Sequence, residues 1–388
     1  MKSFFNYVFI LFFFSCSLLS AQTVVTNLSL EQALRIAENN NFSLQQQQQR
    51  IRQAATELDI QKASLYPRLL INGSTNYTSQ VAEFTAPFLP VAIEAGTKDV
   101  YDANLTIQQP LFTGFRTLNL IQSAEESLKE NEVQRQTALN EIFLQIHNIY
   151  YAVQLNMLQQ EVLRSSIRRA TNDLKTVRNF FQAGQASAFD TLKVTNAVLS
   201  HQTELNKLTH EQQIFLTQMA YVLNVEKIHG IEPFSQKNPK IMIDSMNIYQ
   251  SAALNNRPEL SQMRHRIQAQ IFRKKSAQSL HFPQIFAQAS YHYGKPGVNF
   301  FQKEWMDYYR VGITLQWELW NRSRISNQVK QAEFAIQMMT LDEKKLLDKI
   351  NQQVEEAYEN LRSDIDQIDF LKRLVDQEKE RYRIVREK

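Results

Sequence analysis

The chain has 388 residues with 21% charged, only eight Gly and nine Pro, and a net charge of +4. So few helix breakers point to long uninterrupted helices, and so small a charge argues neither for nor against nucleic acid. No basic tract interleaved with aromatics offers a nucleic-acid groove. No phosphate-cradling glycine loop, HExxH or cysteine metal pattern offers an active site, and the seven histidines are scattered singly. Neither an enzyme activity nor a cofactor or metal is expected.

The N-terminus reads "MKSFFNYVFILFFFSCSLLSAQ". Lys2 gives a basic start, Phe4 to Leu19 an apolar run, and Ser20-Ala21 a small-residue cleavage site before Gln22. A secretory signal over 1–21, removed after Ala21, is expected. Cys16 is the only cysteine and follows a poor lipoprotein box, so it goes with the signal. No later segment approaches the roughly 18 apolar residues of a spanning helix. Any membrane function must then use strands.

A first helix is expected over 29–65, with Ser29 as cap and Gln32 completing a capping box. Leu44, Ile51 and Leu58 hold a seven-residue spacing through the glutamine tract at 45–49, which favours helix over low complexity. Period-two segments follow at about 68–80 and 100–112: Tyr101, Ala103, Leu105 and Ile107 alternate with Asp102, Asn104, Thr106 and Gln108. From Phe115 to Ala183 there is neither Gly nor Pro, which predicts a helix over 114–182 about 100 Å long. Leu139, Ile142, Ile146, Ile149 and Val153 step 3-4-3-4 along it as a packing seam. Gly184 interrupts it, "QASAFD" turns the chain, and a return helix is expected over 187–224. Residues 225–243, with Gly230, Pro233 and Pro239, read as a linker.

The plan then repeats. "LTIQQPLFTGFR" (105–116) is echoed 208 positions later by "ITLQWELWNRSR" (313–324), and further upstream Leu44 matches Leu260 and Pro67 matches Pro283 at an offset of 216. The second copy, 244–388, is expected to carry a helix over 244–281 with a kink or restart at Pro258. Strands at 283–293 and 308–319 and a long helix over 321–388 should follow. Its seam Leu347, Ile350, Val354, Ala357, Leu361 steps as in copy one. The repeat of about two hundred residues is an internal duplication.

Each period-two segment is about ten residues, the length that crosses a bilayer as a tilted strand. Leu105, Ile107, Ala289, Ile313, Leu315 and Trp317 are accordingly expected to face lipid, and Asn104, Thr106, Gln288 and Thr314 a lumen. A soluble sheet with one face on a core shows the same alternation; the secretory signal and the otherwise polar chain favour the barrel. Four strands cannot close, and open edges are not tolerated in lipid. The residues therefore require oligomerisation without choosing its number.

On "LEQALRIAENNNFSL", "RPEL" (257–260), the two strand-starting prolines, "QQPLFTGFR" and "FQAGQASAFDTLKV" (181–194), the chain resembles the outer-membrane efflux proteins, the TolC family. The resemblance runs in order through nearly the whole mature chain, twice. Phe42 departs from a frequent proline, and "LWNRSR" replaces a glycine-bearing turn. The resemblance implies an α+β membrane protein, a homotrimer in which each protomer gives four strands to one β-barrel continued by a periplasmic α-helical barrel. It implies a passive duct in the outer membrane of a Gram-negative cell, serving an inner-membrane pump through a periplasmic adaptor. The turn at Ala183, Gly184, Gln185, Ala186 and Ser187 would be the adaptor-docking tip, and Asp190 would cap the return helix or tie the tip closed. Small-molecule efflux leads; protein secretion through the same duct is the alternative, and a secreted helical scaffold without a pore the rival from another class. At the 208 offset Lys388 matches Phe180, so copy two is expected to lack its tip turn and return helix and to be a fragment of a longer product.

Overall fold

The computed structural model describes residues 24–85, 93–235, 243–299 and 301–387; the expected signal over 1–21 lies outside them. A short strand β1 (Val24–Val25) leads into α1 (Leu30–Asn40). Ser29 and Gln32 form the expected capping box, the Ser29 hydroxyl accepting from Gln32 N and the Gln32 side chain from Ser29 N, both at 3.2 Å. The single helix expected over 29–65 is in fact two. Asn41 leaves the helix at ψ 126, and α2 (Phe42–Ala63) restarts beyond it. The Asn41 Oδ1 accepts from the N–H groups of Ser43 (2.8 Å) and Leu44 (3.3 Å), while its Nδ2 donates to the Val222 carbonyl at 2.8 Å. A side chain that caps the next helix and is itself held breaks the run. The α2 helix then passes through the glutamine tract without interruption.

Next come β2 (Arg68–Tyr77), a small hairpin of β3 (Ala82–Phe84) and β4 (Ile93–Ala95), and β5 (Asp99–Phe112). The long helix α3 (Arg116–Gln182) and the return helix α4 (Ala188–Leu223) follow, then β6 (Lys227–Ile228). Copy two opens with α5 (Met246–Asn256) and α6 (Pro258–Gln278). They are separate helices because Pro258 lacks the N–H that a continuing helix would use, and is accepted as a first residue instead. A 3-10 turn at Ser279–His281 leads to β7 (Gln284–Lys295), β8 (Met306–Gln316) and α7 (Arg324–Glu387). Among the described residues no helix is long and apolar enough to cross a membrane.

The chain forms two compact units. One joins the residues up to Gln46 with Ala138–Pro239. Its core is the α3 seam: Leu139, Ile142, Ile146, Ile149 and Val153 are all buried, against Ala33 and Ala37 of α1 and Leu216, Met219 and Leu223 of α4. The β1 and β6 strands pair in parallel at one side of it. Buried amides set the register of α3 against α4: Gln160 Nε2 donates to Asn156 Oδ1 and to Gln212 Oε1, each at 2.8 Å. Such a polar network inside an apolar seam penalises any slip that would leave it unpaired.

The other unit joins Gln47–Thr137 with Lys240–Lys388. It holds an antiparallel sheet in the order β2-β5-β7-β8, with α5 and α6 packed along α7. The duplication is written into its registers. Leu69 opposes Ile107 in copy one; raising these numbers by 216 and 208 gives Ile285 and Leu315, which oppose each other in copy two. The α7 seam is shallower than that of α3. Ile350 is buried, but Leu361, Ile368, Leu371, Val375, Tyr382 and Val385 are exposed.

Candidate transport site: a two-faced sheet, its joints and the helical turn

Strand pairing sorts the sheet residues into two faces. Ile71, Leu105, Tyr291 and Tyr309 lie across one row, and Leu69, Ile107, Ala289 and Val311 across the next. Ile313 and Leu315 continue this face along β8. It is apolar and bare: Ile71 is 84% exposed, Tyr309 79%, Val311 77% and Ile313 71%. A contiguous apolar surface of this kind requires a non-aqueous neighbour.

The opposite face carries Asn72, Asn104 and His292 in one row, Thr106, Ser290 and Arg310 in the next, then Gln108 and Gln288. Thr314 lies on the same face, which also carries some apolar side chains, Leu70, Val100, Phe286 and Met306 among them. A recess of about 580 Å³ opens on it. Its side chains are cross-linked. Asp102 Oδ1 receives His292 Nδ1 at 2.9 Å, and Asp102 Oδ2 accepts from Asn104 at 2.7 Å. The other His292 nitrogen meets Ser290 Oγ at 2.9 Å. The imidazole stacks on Tyr308 with centroids 4.8 Å apart, and the Arg310 guanidinium sits 5.0 Å from the same ring. The histidine that the sequence shows as solitary is thus the centre of a cluster, assembled from three strands.

One expected face residue is displaced. The strand expected to reach 319 ends at Gln316, so Trp317 lies beyond it and donates its indole N–H to the His281 carbonyl at 3.0 Å.

At each joint between the last strand of a copy and its long helix, two successive residues have left-handed backbones. These are Gly114 and Phe115 (φ 63 and 68) in copy one, and Arg322 and Ser323 (φ 47 and 66) in copy two. The "LWNRSR" turn therefore adopts the glycine-type geometry without a glycine. Gly114 has a second constraint, since a Cβ there would lie 2.5 Å from the Ser279 carbonyl oxygen.

The turn between α3 and α4 is a Schellman closure. Gly184, at φ 76, donates its N–H to Phe181 O at 3.0 Å, and Gln185 donates to Phe180 O at 2.8 Å. Ser187 then caps α4. Its hydroxyl accepts from Asp190 N at 3.1 Å, and Asp190 Oδ2 accepts from Ser187 N at 3.0 Å. The Ser187 hydroxyl and N–H hold the Asp190 carboxyl below its ordinary pKa. Asp190 is therefore the third helical residue, reaching back in a capping box. Ser187 holds the cap position itself.

A bare apolar sheet face backed by a polar one is the arrangement expected of strands that cross a membrane. The sequence matches the outer membrane efflux protein family over residues 33–225 and 249–388, and the chain belongs to that family. It is a protein of the outer membrane and not an enzyme. Solved structures share the fold. CusC, studied for transmembrane channel formation, superposes with a TM-score of 0.73 at 15% identity, over 89% of this chain and 78% of that one. VceC from Vibrio cholerae gives 0.64 at 17% identity, over 82% and 75%. CmeC from Campylobacter jejuni gives 0.65 at 14%, over 82% and 68%. No curated protein sequence matches the chain.

Proposed function

We propose that three copies of this chain close their sheets into one barrel through the outer membrane. On this reading the helices continue the barrel through the periplasm as a passive duct. An inner-membrane pump delivers small molecules to it through a periplasmic adaptor that docks at 183–187. The observation that carries the reading is the sheet itself. Among the described residues its apolar face is uncovered, and β2 and β8 each have one unpaired edge. In hydrocarbon an unpaired edge is prohibitively costly, and pairing with further copies removes it. Leu105, Ile107, Ala289, Ile313 and Leu315 then face lipid, and Asn104, Thr106, Gln288 and Thr314 the lumen. Exposed apolar side chains on the helices, such as Leu144, Leu155, Val162 and Tyr221, find cover on neighbouring protomers. Asp190 secures the turn by its capping box and, on this reading, also contributes to closing the tip.

The full chain should fractionate with the outer membrane as a heat-modifiable trimer. A photo-crosslinker at Gln185 should capture periplasmic proteins. A soluble monomer, or labelling of Gln185→Cys by an impermeant reagent added to intact cells, would refute the arrangement.

A further inference from the structure

Resting on the duct reading, we infer that the joint of copy one is an anion-recognition site in the passage, so that the duct favours cargo carrying a carboxylate or phosphate. Arg68 opens β2 and Arg116 opens α3. Both line one recess of about 310 Å³, together with Ser64, Thr113, Thr117 and Gln284, and among the described residues no carboxylate lines it. Among the described residues neither guanidinium has an ion-pair or hydrogen-bond partner.

The duplication shows that this is particular to copy one. Raising Arg68 by 216 gives Gln284, a neutral residue, and raising Arg116 by 208 gives Arg324. Arg324 pairs with Glu318 of its own copy, and the position matching Glu318 in copy one is Pro110. One joint therefore satisfies its guanidinium internally; the other holds two guanidiniums and has no carboxylate at the matching place. Arg322, at the place of Gly114, does not line the recess.

Nor does the rest of the polar face supply a counter-charge. Arg68 shares that face with Gln108 and Gln288. Among the described strand residues Asp102 is the one carboxylate on it, already engaged by His292 and Asn104. Two guanidiniums with hydroxyl donors beside them match the planar, bidentate acceptor geometry of a carboxylate or phosphate. Partial enclosure strengthens the attraction over that of freely solvated charges.

The test uses the full chain in planar bilayers of zwitterionic lipid under a KCl gradient, with citrate as the soluble probe. Chloride should be preferred to potassium, and citrate should reduce the current. Arg68→Gln with Arg116→Gln should weaken citrate block about tenfold or more and move the reversal potential toward zero. Pro110→Glu, which restores to copy one the carboxylate of copy two, should act in the same direction. Arg68→Lys with Arg116→Lys should keep the chloride preference but lose much of the citrate block, because a point charge lacks the bidentate fork. Block and selectivity unchanged in the double Gln variant overturn the site. Arginine-dependent retention of anionic lipid without citrate block assigns the recess to headgroups and equally overturns it. Absence of any conducting pore removes the duct reading itself, a result distinct from a pore that conducts without selectivity.

Discussion

Ile107→Arg is expected to cost the inserted protein about 2–4 kcal/mol and to remove most of the heat-modifiable oligomer from the outer membrane, while Gln288→Arg leaves its yield near that of the unaltered chain. Ile107 stands mid-strand in the apolar row with Leu69, Ala289 and Val311. A guanidinium there must be drawn into hydrocarbon or drag water to itself. Gln288 lies on the opposite face, where an arginine remains hydrated. Thr106 is a poorer control than its polarity suggests: it is only 7% exposed and donates to Asn104 Oδ1 at 3.0 Å, so enlarging it also disturbs packing. Gel mobility of unheated samples reads the result. Equal yields for the two arginines would show that the faces are assigned the wrong way.

Gly114→Ala should be the other severe change. The backbone at φ +63 disfavours a side chain, and the new methyl would stand 2.8 Å from Phe282 Cβ as well as 2.5 Å from the Ser279 carbonyl oxygen. Overpacking against backbone costs about 1–3 kcal/mol, and the left-handed conformation adds about 1–2 kcal/mol. Arg322→Gly, at the matching place in copy two, should act oppositely. It relieves a left-handed arginine at φ 47, partly offset by the greater freedom of glycine in the unfolded chain, for a gain of about 1 kcal/mol or less. The thermal midpoint of oligomer dissociation in detergent should fall for the first substitution and hold or rise for the second. A fall of similar size in both would show that the two joints are not equivalent.

Much of this architecture was legible because two periodicities and one duplication constrain each other. Period two separates Leu105 and Ile107 from Asn104 and Thr106 whatever the strand pairs with. The offsets of 208 and 216 then tie β2–β5 to β7–β8. The long α3 follows from the absence of Gly and Pro and from a seam whose every member is buried. What escaped the sequence depends on contacts between distant residues, or on elements too short to have a period. The break at Asn41 is fixed by Val222, 181 positions away; the Asn-Asn-Asn run before Phe42 was its one local sign. The β1–β6 pair has two residues per strand. Asp102 and His292 are 190 positions apart, so their cluster could not be read from spacing. The joint arginines were readable, once the repeats are aligned and Pro110 is seen where Glu318 should be.

The β5–β7 pair joins copy one to copy two inside a single chain, and it has a consequence for how separate chains meet. Under the duplication β8 is the counterpart of β5, and β2 the counterpart of β7. In the proposed ring, the seam between neighbouring protomers, β8 against the next β2, would thus be a second rendering of a pairing already present in each protomer. Ala103 opposite Tyr293, Leu105 opposite Tyr291 and Ile107 opposite Ala289 translate into Val311 opposite Tyr77, Ile313 opposite Thr75 and Leu315 opposite Gly73 across the seam. A ring of three would then be pseudo-sixfold, with internal and external seams alternating around it. Cysteines at Val311 and Tyr77 should be joined between chains by a short thiol-reactive crosslinker. Cysteines at Gly312 and Tyr77, which place the thiols on opposite faces, should not.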